Sequence, residues 1–436
     1  MSEPGPRDSA VEVRVADLMA LRAYAGASDE RSSVVRVVVE SAPGALSLVP
    51  RPDWPTLRTL RSRRSEGTFV LVARFARPVA VADVVREIGR QVVWPSVAAT
   101  REGRLDLRVL NPIGFRRDWD RGVVPLPDRP LGPDLVAGLR DAQGVTVTPD
   151  ADPRTVAGLA MAGVPLVGPG FADVDLHDPL AREEHSLELR RAAIDEHGSV
   201  DWQRPVSVLL ATRRPEQLDF AIAQVARQRG VSALQLVLAP HGFDAEVSRL
   251  RELVGDGVDV RLAPAAAEAV FGDVLQAAAG AADGDVLLKM DDDDWYAPDV
   301  IADLLRARAY SGAELVGMPA EFHYLAPRDL TVKRGHPTEL YARFVAGGTM
   351  MVDRAVLREV GGFRSVRKYV DAQLLAAVTA AGGAIYRTHG LGYVLRRNAS
   401  GHTWQVDMDY LLDPSRVERS WPGFTPSRLM ELETRS

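Results

Sequence analysis

The stretch VLLKMDDDDWYAP, residues 286–298, limits what this chain folds into more than any other. Val286–Met290 is apolar but for Lys289, and it runs directly into Asp291, Asp292, Asp293 and Asp294. A short apolar segment of that kind reads as a strand buried on both faces, the habit of parallel sheets covered by helices. Its aspartates then emerge at the carboxyl end of the strand, where ligands of open α/β sheets bind. The flanking sequence keeps the pattern. Val206–Leu210, Leu234–Leu238 and Val258–Leu262 read as neighbouring strands. Helical spacing links Leu218, Ile222 and Val225, then Ala265–Ala282, then Ile301, Leu304 and Leu305 beyond Pro298. A doubly wound α/β domain over residues 204–410 is expected.

At 436 residues the chain is long enough for two domains. Ahead of the sharp pattern, strands are expected at Val34–Glu40, Thr68–Ala76, Leu105–Leu110 and Val164–Val167. Helices are expected at Val15–Tyr24, Val81–Gln91, Leu135–Ala142 and Thr155–Ala162, and a Pro- and Gly-rich loop at 111–133. Residues 1–180 are therefore expected to form a smaller α/β domain. A charged helical segment, 180–197, dominates a connector placed at 181–203, and 411–436 is left as a tail.

A net charge of −6 offers no basic face for nucleic acid. With no cysteine, disulfides and thiolate metal sites are excluded, so any metal takes oxygen or histidine ligands. The opening MSEPGPRDSA has no apolar core of a secretory signal. No apolar run approaches the roughly 18 residues that cross a bilayer. A cytoplasmic chain is expected, peripheral if it meets a membrane.

Aspartates two apart on a nearly extended chain point to one side, so Asp291 and Asp293 are set to converge on one divalent cation. Mn2+ or Mg2+ suits them, because both take oxygen ligands and leave room for substrate phosphates. The plainer alternative is a solvated acidic turn that caps the helix at Pro298. Against it, four like charges directly after a buried strand repel one another, and a cation relieves that repulsion. An EF-hand is ruled out, since Tyr296 stands where that loop needs Gly and Ala302 where it needs Glu. Asp371 stands where a helix begins, with Leu374, Leu375 and Val378 on its buried side; a helix cap and a general base both account for it. Arg396, Arg397 and His402 follow the apolar segment Tyr393–Leu395. Guanidinium groups fork onto phosphate, and imidazole is an acceptable Mn2+ ligand.

Together these segments resemble the inverting GT-A glycosyltransferases of family 2. VSVLLATRRPEQL (206–218) resembles that family's opening strand and first nucleotide-contacting loop. The run Asp291 to Asp294 resembles its DxD motif, with the extra Asp and following aromatic. GGTMMVDRAVLREVGGF (347–363) resembles its acceptor-side strand, helix and Gly-Gly turn. YVDAQLLAAVTAAGG (369–383) resembles the start of its acidic "ED" helix. The resemblance covers about half the chain. It implies a Rossmann-like mixed sheet and a hexosyltransferase-like activity. It also implies a nucleotide-diphosphate-sugar donor contacted by Thr212, Arg213, Asp291, Asp292 and Arg396. The metal, Mn2+ or Mg2+, would be held by Asp291, Asp293 and His402. Asp371 would take the proton of an acceptor hydroxyl on a polysaccharide, glycolipid or small metabolite.

The chain departs from the family at two places. Val370 stands where Glu is frequent, and Ala239, Pro240 and His241 stand where an Asp meets the nucleobase. In the first half, TVAGLAMAGVPLVGPG (155–170) with REEHSLELRRAAIDEHG (182–198) is similar to the end of a GT-B lobe. Neither a paired-Glu donor motif nor a Gly-rich phosphate loop accompanies it. That implies a degenerate lobe that binds acceptor, joins copies into a homo-oligomer, or supports its neighbour. Two rivals share the general sheet. A sugar nucleotidyltransferase wants a Gly-rich first loop, which ATRRPEQ (211–217) lacks. A catalytically inactive scaffold would bind glycan or nucleotide-sugar without turnover.

Overall fold

The computed structural model describes residues 10–26, 29–41, 56–65, 68–91, 104–106, 110, 119–199, 201–398 and 408–432. The chain is α/β throughout. β1 (Val11–Asp17) pairs in parallel with β2 (Arg31–Ser41), and β3 (Leu57–Ser65) and β4 (Thr68–Ala80) extend the sheet in the order β1-β2-β4-β3. Leu21 from the Leu18–Arg22 helix and Val84, Val85 and Ile88 from the Val81–Gln91 helix share a core with Val35, Val37, Val39 and Leu71 of the sheet. The expected helix from Val15 is thus cut short. Val11, Val13 and Val15 alternate toward the sheet's core, and Asp17 then caps the Leu18–Arg22 helix.

A three-stranded parallel sheet follows, of β5 (Arg121–Pro125), β6 (Ala142–Thr146) and β7 (Leu166–Val167). Its Pro133–Leu139 and Pro153–Met161 helices both begin with proline in the first turn, where the missing N–H costs nothing. β5 lies inside the stretch expected to be loop, and Leu105 makes only an isolated bridge to Gly198. The Pro179–His197 helix comes next. It buries Arg182, Glu183, Glu184 and Arg190, and its Leu187, Ala193 and Ile194 share a core with Val206 and Val208.

The strands after it are β8 (Val206–Thr212), β9 (Leu234–Pro240), β10 (Val258–Leu262), β11 (Val286–Met290), β12 (Trp295–Tyr296), β13 (Leu315–Gly317), β14 (Phe322–Leu325), β15 (Leu330–Arg334), β16 (Leu340–Tyr341), β17 (Met351–Asp353), β18 (Ile385–Arg387), β19 (Tyr393–Arg397) and β20 (Val417–Pro422). Eight of them form one mixed sheet, ordered β10-β9-β8-β11-β17-β13-β18-β16. β10, β9, β8 and β11 are parallel, and β17 enters antiparallel beside β11. Side chains alternate between two cores, as a strand buried on both faces requires. Val286, Leu288 and Met290 join one core, while Leu287 joins the other with Leu374, Leu375 and Val378 of the Val370–Ala380 helix. A smaller sheet, β12-β19-β14-β15-β20, stands after the acidic turn. No helix among the described residues is long and apolar enough to cross a membrane.

Candidate active site

β8 and β11 lie side by side in register, from Val206 opposite Val286 to Leu210 opposite Met290. They therefore end together, and the loops beyond them meet. Thr212 donates its hydroxyl to Asp292 Oδ2, and Arg214 reaches across to both neighbouring acids. Its Nε stands 3.1 Å from Asp292 Oδ2 and its Nη1 2.9 Å from Asp293 Oδ2. Burial works against the Arg214 charge, yet Asp292 and Asp293 outweigh it and hold the guanidinium above its ordinary range. Arg213 turns elsewhere. Its Nε meets His241 Nδ1 at 2.9 Å and its Nη2 donates to the Ala267 carbonyl at 2.7 Å. Burial, then the Arg213 charge, pushes the His241 imidazole down.

The acidic turn is tied from the other side by two tyrosines. Tyr296 accepts from the Asp291 backbone N–H at 2.9 Å and donates to the Gly348 carbonyl at 2.9 Å. Tyr393 donates to Asp294 Oδ2, whose other oxygen accepts the Arg396 backbone N–H at 2.9 Å. Arg396 thus meets the turn through its main chain, while its guanidinium lies 5.8 Å from the Phe220 ring centroid. Burial drives the Asp294 carboxyl well above its ordinary range, with Asp293 and Asp291 adding to the shift. Burial likewise raises Asp293, and Asp291 and Asp292 add to it, while Arg214 opposes. The turn does not cap the next helix. That helix starts at Val300, and its cap residue Asp299 makes no side-chain capping bond.

Lys289 joins the turn to Asp371. It is the one charged residue of β11, and it points to the core face that packs against the Asp371 helix. Its Nζ lies 2.6 Å from Asp291 Oδ1, 3.4 Å from Asp371 Oδ1 and 3.3 Å from the Gly347 carbonyl. Burial opposes the ammonium, and Asp291 and Asp371 outweigh that and hold it above its ordinary range. Asp371 is not a helix cap. Tyr369 occupies the cap position, makes no side-chain capping bond, and leaves Asp371 within the first turn. The Asp371 side chain is 37% exposed, but its Oδ1 is buried and makes no hydrogen bond. Burial pushes its carboxyl up, Lys289 pulls it down, and Asp291 pushes it up again.

Two glycines make room for this meeting. A methyl group at Gly347 would land on the Asp371 carboxylate. One at Gly348 would come within 2.7 Å of the Tyr296 hydroxyl and 2.9 Å of Asp291 Oδ2.

Of the residues singled out in the sequence, Thr212, Asp291, Asp292, Asp293 and Asp371 come together. Arg213 and Arg396 point their guanidinium groups elsewhere, and His402 lies outside the described residues. Arg214, which the sequence sets beside Arg213 as a candidate for base or phosphate or as plain surface, reaches Asp292 and Asp293 instead; Lys289, Tyr296, Tyr393, Gly347 and Gly348 were not given a role. The signal for Lys289 was legible, a lone charge inside a buried strand and two residues before an aspartate. Among the described residues no group of three or more His, Asp or Glu is spaced to hold a metal ion.

No family model matches this chain, and no curated protein matches it. Similar solved structures include residues 1–349 of S. aureus TarS in complex with UDP-GlcNAc, at TM-score 0.38 and 13% identity, covering 46% of this chain and 62% of that one. Another is S. aureus TarS, at 0.37 and 14%, covering 44% and 37%. A third is the mannosyltransferase PcManGT from Pyrobaculum calidifontis in complex with GDP-Man and Mn2+, at 0.37 and 14%, covering 47% and 61%. The chain spans about three-fifths or less of the length of these solved chains. Its chemistry has to be argued from its own residues.

Proposed function

We propose that this chain is an inverting glycosyltransferase of the GT-A, family 2 type, moving a sugar from a nucleotide-diphosphate-sugar to an acceptor hydroxyl. The observation that carries the reading is the meeting of two separate carboxylates, Asp291 and Asp371, 2.6 Å and 3.4 Å from one buried Lys289 at the carboxyl end of the parallel strands. An acidic turn with a second, partly open carboxylate beside it is what a displacement at an anomeric carbon requires. One side meets the leaving group and the other meets the attacking hydroxyl.

The acidic turn suits a hard divalent cation. Asp291 to Asp294 and Asp371 outnumber the cations that face them, Lys289, Arg214 and Arg397; burial drives Asp293 and Asp294 upward and the neighbouring acids add to it. We assign Asp291 and Asp293 as ligands of Mn2+ or Mg2+, with His402 as a third. Two carboxylates plus substrate phosphate is an ordinary set for such ions. When bound, the cation supplies charge neutralisation for the diphosphate leaving group. Thr212, Arg213, Asp292 and Arg396 are proposed to line the donor. Arg213 and His241 stand at the ends of β8 and β9, where the nucleobase is assigned.

Asp371 takes the proton of the acceptor hydroxyl as its oxygen attacks the anomeric carbon, and the configuration there inverts. A carboxyl raised by burial is a stronger base than an ordinary one, which suits that role. Lys289 fixes Asp371 against the acidic turn, so acceptor and donor are held in one geometry. The cytoplasmic placement, the division at residues 181–203 and the supporting role of the first 180 residues belong to the same proposal.

The test is nucleotide release from a panel of nucleotide-sugars, with Mn2+ and with EDTA. Metal-dependent release from one donor, lost with EDTA, is the expected result. Failure to bind any nucleotide-sugar in the presence of metal would overturn the reading in favour of an inactive scaffold.

A further inference from the structure

Around Asp371 the surface changes character. Phe344 is 55% exposed and Tyr369 is 73% exposed, the largest exposure among the large hydrophobic side chains described. Phe344 lies three residues before Gly347, which abuts the Asp371 carboxylate, so its backbone is within about 10 Å of that contact. Tyr369 lies two residues before Asp371. Two exposed aromatic residues thus stand within three residues of Asp371 or of the glycine that touches it, on separate segments of chain.

Tyr369 is also held at φ 63°, the left-handed region that bulky residues avoid. Its side chain gains no burial in return, and its cap position makes no side-chain hydrogen bond. Strain with no structural return marks residues kept for what they touch.

Three exposed cations accompany the rings: Arg343 beside Phe344, and Arg367 and Lys368 beside Tyr369. None makes an ion pair among the described residues, whereas exposed arginines such as Arg229, Arg249 and Arg419 do. In a chain of net charge −6, three unpaired cations thus fall on the two segments that carry the rings.

We propose that Phe344 and Tyr369, with Arg343, Arg367 and Lys368, form an acceptor-side subsite for an anionic saccharide, a sugar chain bearing carboxylate or phosphate groups. The proposal rests on the transferase reading for Asp371 and deepens it by naming the acceptor's class. Aromatic faces meet the apolar C–H faces of sugar rings, and guanidinium and ammonium groups meet anionic substituents. A membrane would need a broad apolar face. Here the exposed apolar side chains are two rings, accompanied by three cations, on the two segments next to one partly open carboxylate.

The experiment uses the full chain and titration calorimetry with three probes: a galacturonate hexamer, neutral maltohexaose, and phosphatidylglycerol vesicles. The expected result is about tenfold tighter binding of the galacturonate hexamer than of maltohexaose. Replacing Arg343, Arg367 and Lys368 together by Ala removes that preference. Phe344→Ala weakens both sugars about fivefold. Tyr369→Gly relieves the left-handed strain, so its melting temperature holds or rises while sugar affinity falls; this separates a lost contact from a lost fold.

Vesicle binding without oligosaccharide binding would overturn the proposal in favour of a membrane-facing patch. Loss of self-association in Phe344→Ala, with sugar binding unchanged, would overturn it in favour of a contact between copies. Equal loss of nucleotide-sugar affinity in these variants would assign the patch to the donor and overturn it as well. Metal-dependent donor turnover with no oligosaccharide binding defeats this inference alone. Oligosaccharide binding with no nucleotide-sugar bound defeats the transferase reading and leaves the subsite standing.

Discussion

Asp294 and Asp303 are nine residues apart, both almost wholly buried, and belong to two clusters of opposite character. Asp303 is ringed by cations. Arg191 Nε donates to it at 2.9 Å, Arg306 Nη1 at 3.2 Å, and His389 Nε2 stands at 3.1 Å. Arg191 also reaches Asp299, Arg306 also grips Asp195, and Arg190 closes on Glu339, which takes hydroxyls from Tyr310 and Tyr386. Burial penalises the Asp303 charge, but these partners overcome it and hold the carboxyl far below its ordinary range. Glu339 is likewise held low, against burial, by Arg190. The acidic turn shows the reverse. Asp293, Asp294 and Asp371 are pushed up, chiefly by burial, with Asp291 adding to the shift of each. Similar burial has opposite outcomes because one cluster is closed by its own cations and the other carries surplus negative charge. The closed cluster pins the Pro179–His197 helix to the Val300–Ser311 helix; the open one is where the donor and acceptor are proposed to meet.

Two substitutions break the comparison most sharply. Asp371→Asn is expected to lower transfer by roughly 10²–10⁴-fold with donor binding retained, read as product formation at saturating donor. Turnover at the wild-type rate would remove Asp371 from the base role. Asp303→Asn is expected to leave Arg191 and Arg306 with only Asp299 and Asp195 for their charges and to cost about 3–5 kcal/mol of stability, read by urea denaturation. A cost under about 1 kcal/mol would mean the network is ornamental, and the contrast between the clusters would fail.

The second half was legible because its signals are strong and local. A buried strand ending in four acids can hardly be anything but the carboxyl end of a covered sheet, and the strands β8, β9, β10 and β11 appear where apolar runs placed them. What stayed hidden depends on distance in space. Arg214 rather than Arg213 reaches the acids because Thr212 turns the chain at the strand end, its hydroxyl held by Asp292. The closed cluster joins Arg190 and Arg191 to residues more than a hundred positions away, which no spacing rule reveals. The helix expected from Val15 overlaps only the end of β1, and the short Val11, Val13, Val15 alternation ahead of it is settled by pairing with β2.

A smaller effect probes the open cluster's packing. Gly347→Ala places a methyl where the Asp371 carboxylate sits, so the carboxylate must move. A displacement near 1 Å is expected to cost about 10–100-fold in turnover with the fold retained. Unchanged turnover would show that Asp371 is free to shift, and that its meeting with Lys289 does not set the reaction geometry.

Glu314 supplies the mildest and most discriminating case, a buried acid without a ring of cations, on which Asp353 and Glu359 act only after burial. Its Oε2 accepts the Ala384 backbone N–H at 2.6 Å, and burial raises its carboxyl from 4.5 to about 7. Between those two values the folded chain holds a proton that the unfolded chain has released. Stability therefore falls as pH rises through that window, the opposite sign to Asp303, whose contribution is present above its unfolded value and lost toward acid. Glu314→Gln keeps an acceptor for Ala384 and removes the titration. Urea midpoints measured across this range are expected to show the wild type losing ground to the variant as pH rises. If the two curves stay parallel, burial alone does not shift a carboxyl in this fold. The raised acids of the turn would then owe their shift to crowding by one another, which would make the case for a bound cation stronger.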